Sequence, residues 1–342
     1  MVELTIQHAS YLQATTNIGT PLILVVRVIL FLRIGLDRKS LSHPQPSWGE
    51  TLTATSFSTG PGGKGANQAV ACARLSRPNP TAPSSITVRM LGSVGADEFG
   101  PSLTTSLQSS LIDTSSITVV EGQSTGVAVI LVEETTGENR ILLSPGANYS
   151  LLPSSFASVS SLGVPKPDLV ILQLEIPLET VLQIIKTAKE AGVDVLLNPA
   201  PAVKLPEDVF KGLGHLIVNE SEAAILTSRS VADVEAEGFD WDVVTSEFLS
   251  KGVKNVIVTL GSKGAFFQSS GMEKGISVKA EKVKKVVDTT AAGDTFVGAY
   301  AVSVVRKGGV VGEEDVKGAC RAAGRTVEKE GAQSAIPWAD EV

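Results

Sequence analysis

The chain has 342 residues, of which 43% are hydrophobic and 19% charged, so it is long enough to bury a large core. Its 36 acidic residues outnumber its 29 lysines and arginines, and the net charge of −7 argues against general binding to nucleic acid or anionic membranes. Two cysteines and three scattered histidines argue against a disulfide framework and a histidine metal site. We expect a reducing compartment, the cytoplasm, with the nucleus as an additional location.

The first distinctive segment is an apolar run at residues 18–36, which approaches the length of a membrane span. Arg27 and Arg33 lie inside it, and each would cost roughly 2.5–3.5 kcal/mol near the centre of a bilayer. No acidic residue occurs between Glu3 and Asp37, which allows a transit peptide, but two arginines give that reading little support. We expect a buried strand or helix here, and no membrane as a partner.

From Ile86 onward, short β-rich runs alternate with longer helical patterns. Residues 177–192 illustrate the helical pattern, with apolar residues at i, i+3, i+4 and i+7 and a glycine at the end. The β-rich runs are continuously apolar, as expected when both faces of a sheet are buried. These runs are residues 86–91, 168–174, 193–198, 214–219 and 256–261. The alternation predicts an α/β fold in three layers, with a mostly parallel sheet between helices.

A different pattern occurs at residues 124–144, which predict two strands joined by a glycine-containing turn at residues 135–138. No helical segment accompanies this hairpin to cover it. We therefore predict a small β lid that projects from the main body. The proline- and serine-rich residues 76–85 are expected to form a surface loop.

The strongest chemical signal is DTTAAGDTFVGAYA at residues 288–301, which follows a strand-like stretch at 283–287 and begins a helix. The small residues 291–293 allow backbone N–H groups to converge on an anion at the helix N-terminus. Asp294, in the first turn, could accept the proton of an attacking hydroxyl while those N–H groups stabilise a transferred phosphoryl group. The structural alternative is that Asp294 only caps the helix.

A second signal is the glycine-rich segment GPGGKGANQAVACARL at residues 60–75. It is not a Walker A loop, because no Ser or Thr follows the lysine and no clear strand precedes it. Gly63, Lys64 and Asn67 are instead suited to binding hydroxyls, since lysine donates hydrogen bonds and the asparagine amide both donates and accepts them. A flexible turn with a solvated lysine is the alternative.

Three further features favour a nucleotide site. Asn219 and Glu222 lie where a predicted strand enters a helix, residues 259–264 (TLGSKG) follow another strand, and Glu175 ends a third. Each of them alone is more often structural. Together they fall at the carboxyl ends of strands, which is where open α/β sheets bind ligands.

Taken together, GGKGANQAV, QLE, NPAP, NESEA, TLGSKG, DTTAAGD and EGAQ with PW resemble the ribokinase family of carbohydrate kinases in order and spacing, from about Gly49 to the C-terminus. The resemblance implies ATP-dependent phosphorylation of the 5-hydroxyl of ribose. It implies ATP, Mg²⁺ and a monovalent cation, K⁺, as cofactors, and a sugar and ATP as small-molecule partners. A homodimer formed through the β lid is a further expectation, and nucleic acid is not expected as a partner.

The resemblance also implies roles for individual residues. Asp294 matches the catalytic base, with an anion hole formed by Ala291, Ala292 and Gly293. The sugar-binding positions are matched by Gly63, Lys64, Gly65, Ala66, Asn67, Glu175 and Asp294. The nucleotide contacts are matched by Asn219, Glu222, Thr259, Leu260, Gly261, Ser262, Lys263, Gly264, Gly293 and Asp294. Asn219 and Glu222 also match an N-x-x-E element linked to magnesium and phosphate. The monovalent-cation site is matched by Asp288, Thr290, Thr326, Lys329 and Gly331, with Ala335 where that site often has a serine.

The chain departs from the family at its front. Family members usually begin with a strand ending in G-S-x-N-x-D, whose Asn and Asp hold sugar hydroxyls, and no such motif occurs in residues 1–46. We therefore predict an atypical segment at 1–46, lacking a central strand and part of the sugar site, and an α/β domain at 47–342 that includes the lid. A misassigned start or a retained intron is favoured over a genuinely altered protein.

Two alternatives to ribose phosphorylation stay open. The first is another sugar or nucleoside kinase of the same fold, and the second is a catalytically impaired, nucleotide-binding relative that cannot hold the sugar. A dinucleotide-binding oxidoreductase is disfavoured, because no G-x-G-x-x-G follows a first strand.

Overall fold

The computed structural model describes the chain at residues 22–26, 29–36, 53–133 and 139–342. The strands in chain order are β1 (Leu22–Val26), β2 (Ile29–Leu36), β3 (Ser56–Gly62), β4 (Thr87–Gly95), β5 (Asp113–Val120), β6 (Val127–Glu133), β7 (Asn139–Ser144), β8 (Leu169–Leu172), β9 (Asp194–Leu197), β10 (His215–Asn219), β11 (Asn255–Thr259), β12 (Ala265–Ser269) and β13 (Ile276–Val278). The helices are α1 (Lys64–Leu75), α2 (Phe99–Ser109), α3 (Leu178–Glu190), α4 (Glu220–Leu226), α5 (Val231–Glu235), α6 (Asp242–Ser250), α7 (Ala292–Arg306) and α8 (Glu313–Thr326).

The main sheet has nine strands in the order β13-β12-β11-β10-β9-β8-β1-β4-β5. Strands β11, β10, β9, β8, β1, β4 and β5 run parallel to one another. In this sheet β12 pairs antiparallel with β11, and β13 pairs antiparallel with β12. All five β-rich runs predicted after residue 86 form strands of this sheet. The predicted α/β class with a mostly parallel sheet is therefore confirmed.

Both faces of the sheet are buried, which produces the predicted three layers. Along β10, Ile217 packs into one apolar core, and Leu216 and Val218 pack into the other. Residues of α1, α7 and α8 complete the first core, and residues of α3 and α6 complete the second. This alternation explains why the strands are continuously apolar, because successive side chains enter opposite cores.

A separate four-stranded sheet, in the order β3-β2-β6-β7, forms the lid. The hairpin predicted at residues 124–144 is confirmed as β6 and β7, which pair antiparallel. The turn predicted at 135–138 lies outside the residues that the structure describes. Strand β3 leads directly into α1, so the lid is joined to the glycine-rich segment at residues 60–65.

The expectation that residues 1–46 lack a central strand was wrong. Strand β1 lies between β4 and β8 in the middle of the main sheet, parallel to both, with Ile23 opposite Val88 and Leu169. Strand β2 joins the lid and pairs with β3 and β6. The apolar run at residues 18–36 thus supplies one strand to each sheet. The central strand β1 is present although the G-S-x-N-x-D motif that usually ends such a strand is missing. The domain boundary at residue 46 stays a prediction.

Two smaller expectations were also wrong. Residues 283–287 form no strand. Val286 and Val287 are about half exposed, and the segment's backbone reaches another segment through two bonds, from the Lys284 N–H to Oε1 of Glu328 and from the Val287 N–H to the carbonyl of Val327. Conversely, a strand does precede the glycine-rich segment, since β3 (Ser56–Gly62) ends there. In the part of the chain that the structure describes, no helix is both long enough and apolar enough to cross a membrane.

Candidate active site

The N-terminal ends of α1 and α7 meet at Asp294, whose side chain is only 8% exposed. Its Oδ2 accepts a hydrogen bond of 2.8 Å from Nδ2 of Asn67, and its Oδ1 accepts one of 3.0 Å from Nε2 of Gln68. Both bonds come from side chains of α1 and neither from the first turn of α7. The cap interpretation of Asp294 therefore does not describe this geometry, which instead holds a carboxylate between two helices.

Lys64 brings the predicted sugar-binding residues together. Its backbone N–H donates to Oε2 of Glu175 at 3.0 Å. Burial acts to lower the pKa of the Lys64 side chain, but the nearby carboxylates of Asp294, Glu175 and Glu222 outweigh it and raise that pKa above its ordinary value. The Lys64 ammonium group thus interacts electrostatically with three carboxylates of the site.

Asn67 is the residue here with spare hydrogen-bonding capacity. Its side chain is 2% exposed, and its Nδ2 is engaged with Asp294. Its Oδ1 is buried and accepts no hydrogen bond from any residue that the structure describes. A buried acceptor without a donor is costly, so a ligand hydroxyl beside Asp294 would stabilise this arrangement.

The first turn of α7 provides the predicted anion site. Ala291 adopts a left-handed conformation, with φ of 62°, and its carbonyl accepts the N–H of Thr295. The first N–H groups of a helix have no partner within the helix, and they carry partial positive charge. Gly293 is exposed, and a Cβ added to it would meet no atom within 4 Å. The turn therefore faces open space in which an anionic group can approach the backbone.

Replacing this glycine should separate stability from activity. Gly293→Ala should fold with equal or greater stability, since alanine exceeds glycine by about 1 kcal/mol in helix propensity. Turnover should fall by up to about 10²-fold, because a methyl group displaces the transferred phosphoryl group. Thermal melting and steady-state assays measure the two effects. Gly318→Ala, within α8, is the matched control and should keep full turnover; equal turnover in both variants would contradict an anion site at Gly293.

The predicted N-x-x-E element begins α4 with a reciprocal cap. Oδ1 of Asn219 accepts the N–H of Glu222 at 2.8 Å, and Oε2 of Glu222 accepts the N–H of Asn219 at 2.9 Å. Burial raises the pKa of Glu222, an effect that the Asn219 bond and Lys64 oppose and that Asp294 reinforces. Glu222 therefore lies within electrostatic range of Asp294 and links the α4 terminus to the sugar-binding residues.

The TLGSKG segment forms a tight turn after β11. Oγ1 of Thr259 donates to the carbonyl of Val218 at 3.3 Å, and Lys263 pairs with Glu220 at 3.3 Å, so the turn is attached to β10 and α4. Gly264 has φ of 103°, and a side chain there would collide with the backbone of β13. Gly264 is therefore required by the turn itself, whereas residues 261–263 are exposed beside the α4 terminus.

Two of the predicted cation residues, Thr290 and Gly331, donate hydrogen bonds to the carboxylate of a third, Asp288. Oδ1 of Asp288 accepts from the N–H and the hydroxyl of Thr290 at 2.9 and 2.6 Å, and its Oδ2 accepts from the N–H of Gly331 at 3.2 Å. The carbonyl of Thr326 accepts the N–H of Lys329, while the Lys329 ammonium pairs with Glu341 at 2.6 Å. The five residues thus join two neighbouring loops, although the side chain of Lys329 is engaged elsewhere.

A cavity of about 530 Å³ adjoins these loops. It is lined on one side by Asp288, Thr290 and residues 330–334, and on the other by residues 58–61 of the lid. No group of three or more His, Cys, Asp or Glu residues suited to a metal occurs in the described part of the chain. A cation bound by these loops would therefore be held by one carboxylate and backbone carbonyl oxygens, a hard oxygen set that suits an alkali or alkaline-earth ion.

Sequence reasoning missed three buried amides beside Asp294. They are Gln68, Gln173 and Asn198, which are 0%, 3% and 9% exposed. Gln173 and Asn198 belong to the QLE and NPAP segments, which were noted as motifs, but neither of these two residues was given a role. Both directly follow buried parallel strands, and that shared position was the available signal.

Comparison with known proteins agrees with this geometry. Residues 31–339 match the sequence profile described as "pfkB family carbohydrate kinase". The chain is 46% identical over 316 residues to the ribokinase of Schizosaccharomyces pombe, covering 92% of this chain and 95% of that protein. It is 37% identical to the ribokinase of Haemophilus influenzae, covering 86% and 89% of the two chains. Its fold is similar to the structure of Arabidopsis thaliana ribokinase complexed with ribose and ATP, with a TM-score of 0.76, 29% identity and coverage of 93% and 96%.

Proposed function

The chain belongs to the pfkB family of carbohydrate kinases, and we propose that it transfers the terminal phosphoryl group of ATP to the 5-hydroxyl of ribose. The observation that carries this proposal is the buried carboxylate of Asp294, fixed by two amides beside the open N-terminus of α7. The similarity to ribokinases supports ATP and ribose as the two substrates. Measuring ADP release with and without ribose tests this assignment, and no ribose-dependent release would contradict it.

The residues of the site divide the chemistry between them. Lys64 and the free Oδ1 of Asn67 hold sugar hydroxyls, and Asp294 accepts the proton of the attacking hydroxyl. As that oxygen bonds to phosphorus and the bond to the ADP oxygen breaks, the N–H groups at residues 291–293 stabilise the charge on the phosphoryl oxygens. Residues 259–264 and Asn219 are proposed to contact the nucleotide.

We propose Glu222 and Asn219 as the residues nearest a Mg²⁺ ion carried by ATP. Both side chains are engaged in the cap of α4, so they fit an ion held through water rather than direct coordination by several carboxylates. The ion would neutralise phosphate charge.

The free thiols of Cys72 and Cys320 support a reducing compartment such as the cytoplasm.

A monovalent cation at Asp288 should order the loop that carries the anion site. Asp288 joins residues 287–290 to residues 327–331, and Ala291 follows directly. We expect turnover to rise several-fold when K⁺ replaces tetramethylammonium at constant ionic strength, because the organic cation is too large for this site. The Asp288→Asn variant should lose most of that response. An equal rate in both salts would remove the cation from the proposal. The substitution of alanine for the usual serine at Ala335 would then be the first explanation for the loss of cation binding.

The lid presents an apolar edge that supports a homodimer. Ile141, Leu142 and Leu143 are consecutive in β7 and 54%, 59% and 46% exposed, and β7 is the last strand of the lid sheet. Exposed apolar surface on an edge strand is typical of an interface. We expect a dimer by light scattering and a monomer for Leu142→Asp. The Leu152→Asp variant, at an exposed leucine outside the lid, is the control; a monomeric parent chain would contradict the proposal.

A further inference from the structure

Gln68 is completely buried and forms hydrogen bonds with three side chains. Its Nε2 donates to Oδ1 of Asp294 and to Oδ1 of Asn198, each at 3.0 Å. Its Oε1 accepts a hydrogen bond of 2.6 Å from Nε2 of Gln173. Both N–H groups of the amide are therefore used and its oxygen accepts one hydrogen bond, while the complete burial of the side chain keeps the amide away from a substrate.

The orientation of this amide is determined by the protein backbone. Nδ2 of Asn198 donates to the carbonyl of Ile217 at 2.9 Å, and a carbonyl can only accept. Asn198 must therefore present its Oδ1 to Gln68, which in turn must present its Nε2. If the Gln68 amide were reversed, its oxygen would face the oxygens of both Asn198 and Asp294. The carbonyl of Ile217 in β10 thus orients the amide of Asn198, which orients the amide of Gln68 so that its Nε2 donates to Asp294.

The chain of amides connects the central sheet to the reactive carboxylate. Gln173 follows β8, Asn198 follows β9 and Ile217 lies in β10, so three successive strands contribute to it. Asn67 holds the other oxygen of Asp294, but no donor among the described residues reaches its own Oδ1, which is therefore open to a ligand. The two adjacent residues of α1 therefore differ: Asn67 can contact substrate, whereas Gln68 can act only through Asp294.

We propose that Gln68, oriented by Asn198 and Gln173, is a positioning residue that fixes the plane of the Asp294 carboxylate for proton transfer. This inference rests on the proposed kinase activity. With Oδ1 and Oδ2 each occupied by one amide, only the remaining lone pairs are directed at the substrate hydroxyl. General-base catalysis requires such alignment within hydrogen-bonding distance, so a carboxylate free to rotate would transfer the proton less often.

The hydrogen bond from Nε2 of Gln68 to Oδ1 of Asp294 should affect how activity depends on pH. A hydrogen bond to an ionised carboxylate favours the ionised form, and its loss shifts protonation to higher pH. Among the described residues, Lys64 on α1 and Glu222 on α4 are charged groups that interact with Asp294, and Glu175 after β8 interacts with Lys64. These groups stay in place when Gln68 is replaced, so a change in the pH profile would report on Gln68.

Gln68→Met, which keeps the length of the side chain and removes its N–H groups, tests the proposal. We expect kcat to fall by about 10–100-fold, the factor for one hydrogen bond to a charged group, while KM for the sugar stays within a few-fold. The acid limb of the kcat profile should move to higher pH. Gln173→Met should change both quantities in the same direction but less. The control is Gln183→Met, because the amide of Gln183 donates to Thr187 of the same helix, α3.

A folded Gln68→Met variant with the kcat and acid limb of the control would overturn the proposal. If that variant does not show cooperative melting, Gln173→Met is judged by the same criterion. A measurement that does not depend on turnover is the NMR spectrum of the side-chain amides, in which the pair of signals lost in Gln68→Met belongs to Gln68. This pair should shift in Asp294→Asn. If it does not shift, the contact between Gln68 and Asp294 is refuted. A parent chain that phosphorylates no sugar would overturn the proposed function, while these signals still decide whether Gln68 holds Asp294.

Discussion

Asp294→Asn should lower turnover with ribose by about 10²–10⁴-fold, the usual contribution of a general base. Affinity for ATP should stay close to that of the parent chain, because most of the proposed nucleotide contacts lie at Asn219 and residues 259–264, and Asp294 is only one member of the set. The fold should tolerate the change. Gln68 can still donate to the new Oδ1, and Asn67 can reverse its amide to offer its unpaired Oδ1 to the new Nδ2. The variant therefore removes the base with little change in volume or packing.

Steady-state kinetics with ribose and calorimetry with ATP measure the two parts of this prediction. Asp233→Asn is the matched control, since Asp233 is also the third residue of a helix, α5, but is exposed. The control should retain full turnover. Turnover of Asp294→Asn within a few-fold of the control would leave Asp294 as a structural residue and remove the base from the mechanism.

Restoring the family motif between β1 and β2 should tighten ribose binding by about 10²–10⁴-fold. The resemblance to the family implies that the Asn and Asp of G-S-x-N-x-D should follow the first central strand and precede the lid. Here β1 and β2 have those positions, and only Arg27 and Val28 separate them. Two missing hydrogen bonds to sugar hydroxyls, at roughly 1.5–3 kcal/mol each, correspond to this loss at about 1.4 kcal/mol per tenfold.

The test replaces residues 27–28 with Gly-Ser-Ile-Asn-Ala-Asp and uses Gly-Ser-Ile-Ala-Ala-Ala as a control of equal length. Calorimetry should show tighter ribose binding for the first insertion alone, with ATP affinity unchanged in both. If the unmodified chain already binds ribose as tightly as the Asn-Asp insertion, its own residues supply equivalent contacts, and the predicted deficit is wrong.

The fold was predictable because its strands follow a strong physical rule. Parallel strands buried on both faces are continuous apolar runs, and β8 to β11 are of this kind. Strand β3 was missed because SFSTGPG contains glycine and proline, and only its pairing with β2 in the lid makes it a strand. Residues 283–287 have strand-forming composition, but they have no neighbouring strand to pair with.

The candidate site was predictable as far as local motifs define it. Asp294 and Lys64 come from separate motifs, and their convergence follows from the meeting of the α1 and α7 termini. The role of Gln68 could not be predicted, because it depends on contacts with residues 105, 130 and 226 positions away in the sequence. Hydrogen bonds between distant segments leave no periodic pattern, so only the three-dimensional arrangement identifies them.

The most direct test of the central claim is the ³¹P NMR spectrum of the products formed from ATP, Mg²⁺ and ribose. Phosphate on the 5-hydroxyl couples to the two protons of C5 and gives a triplet, whereas phosphate on C1, C2 or C3 couples to one proton and gives a doublet. We predict a new triplet that grows in step with ADP for the parent chain and is reduced in proportion to turnover for Asp294→Asn. A doublet, or ADP formed with inorganic phosphate and no sugar phosphate, would contradict the account.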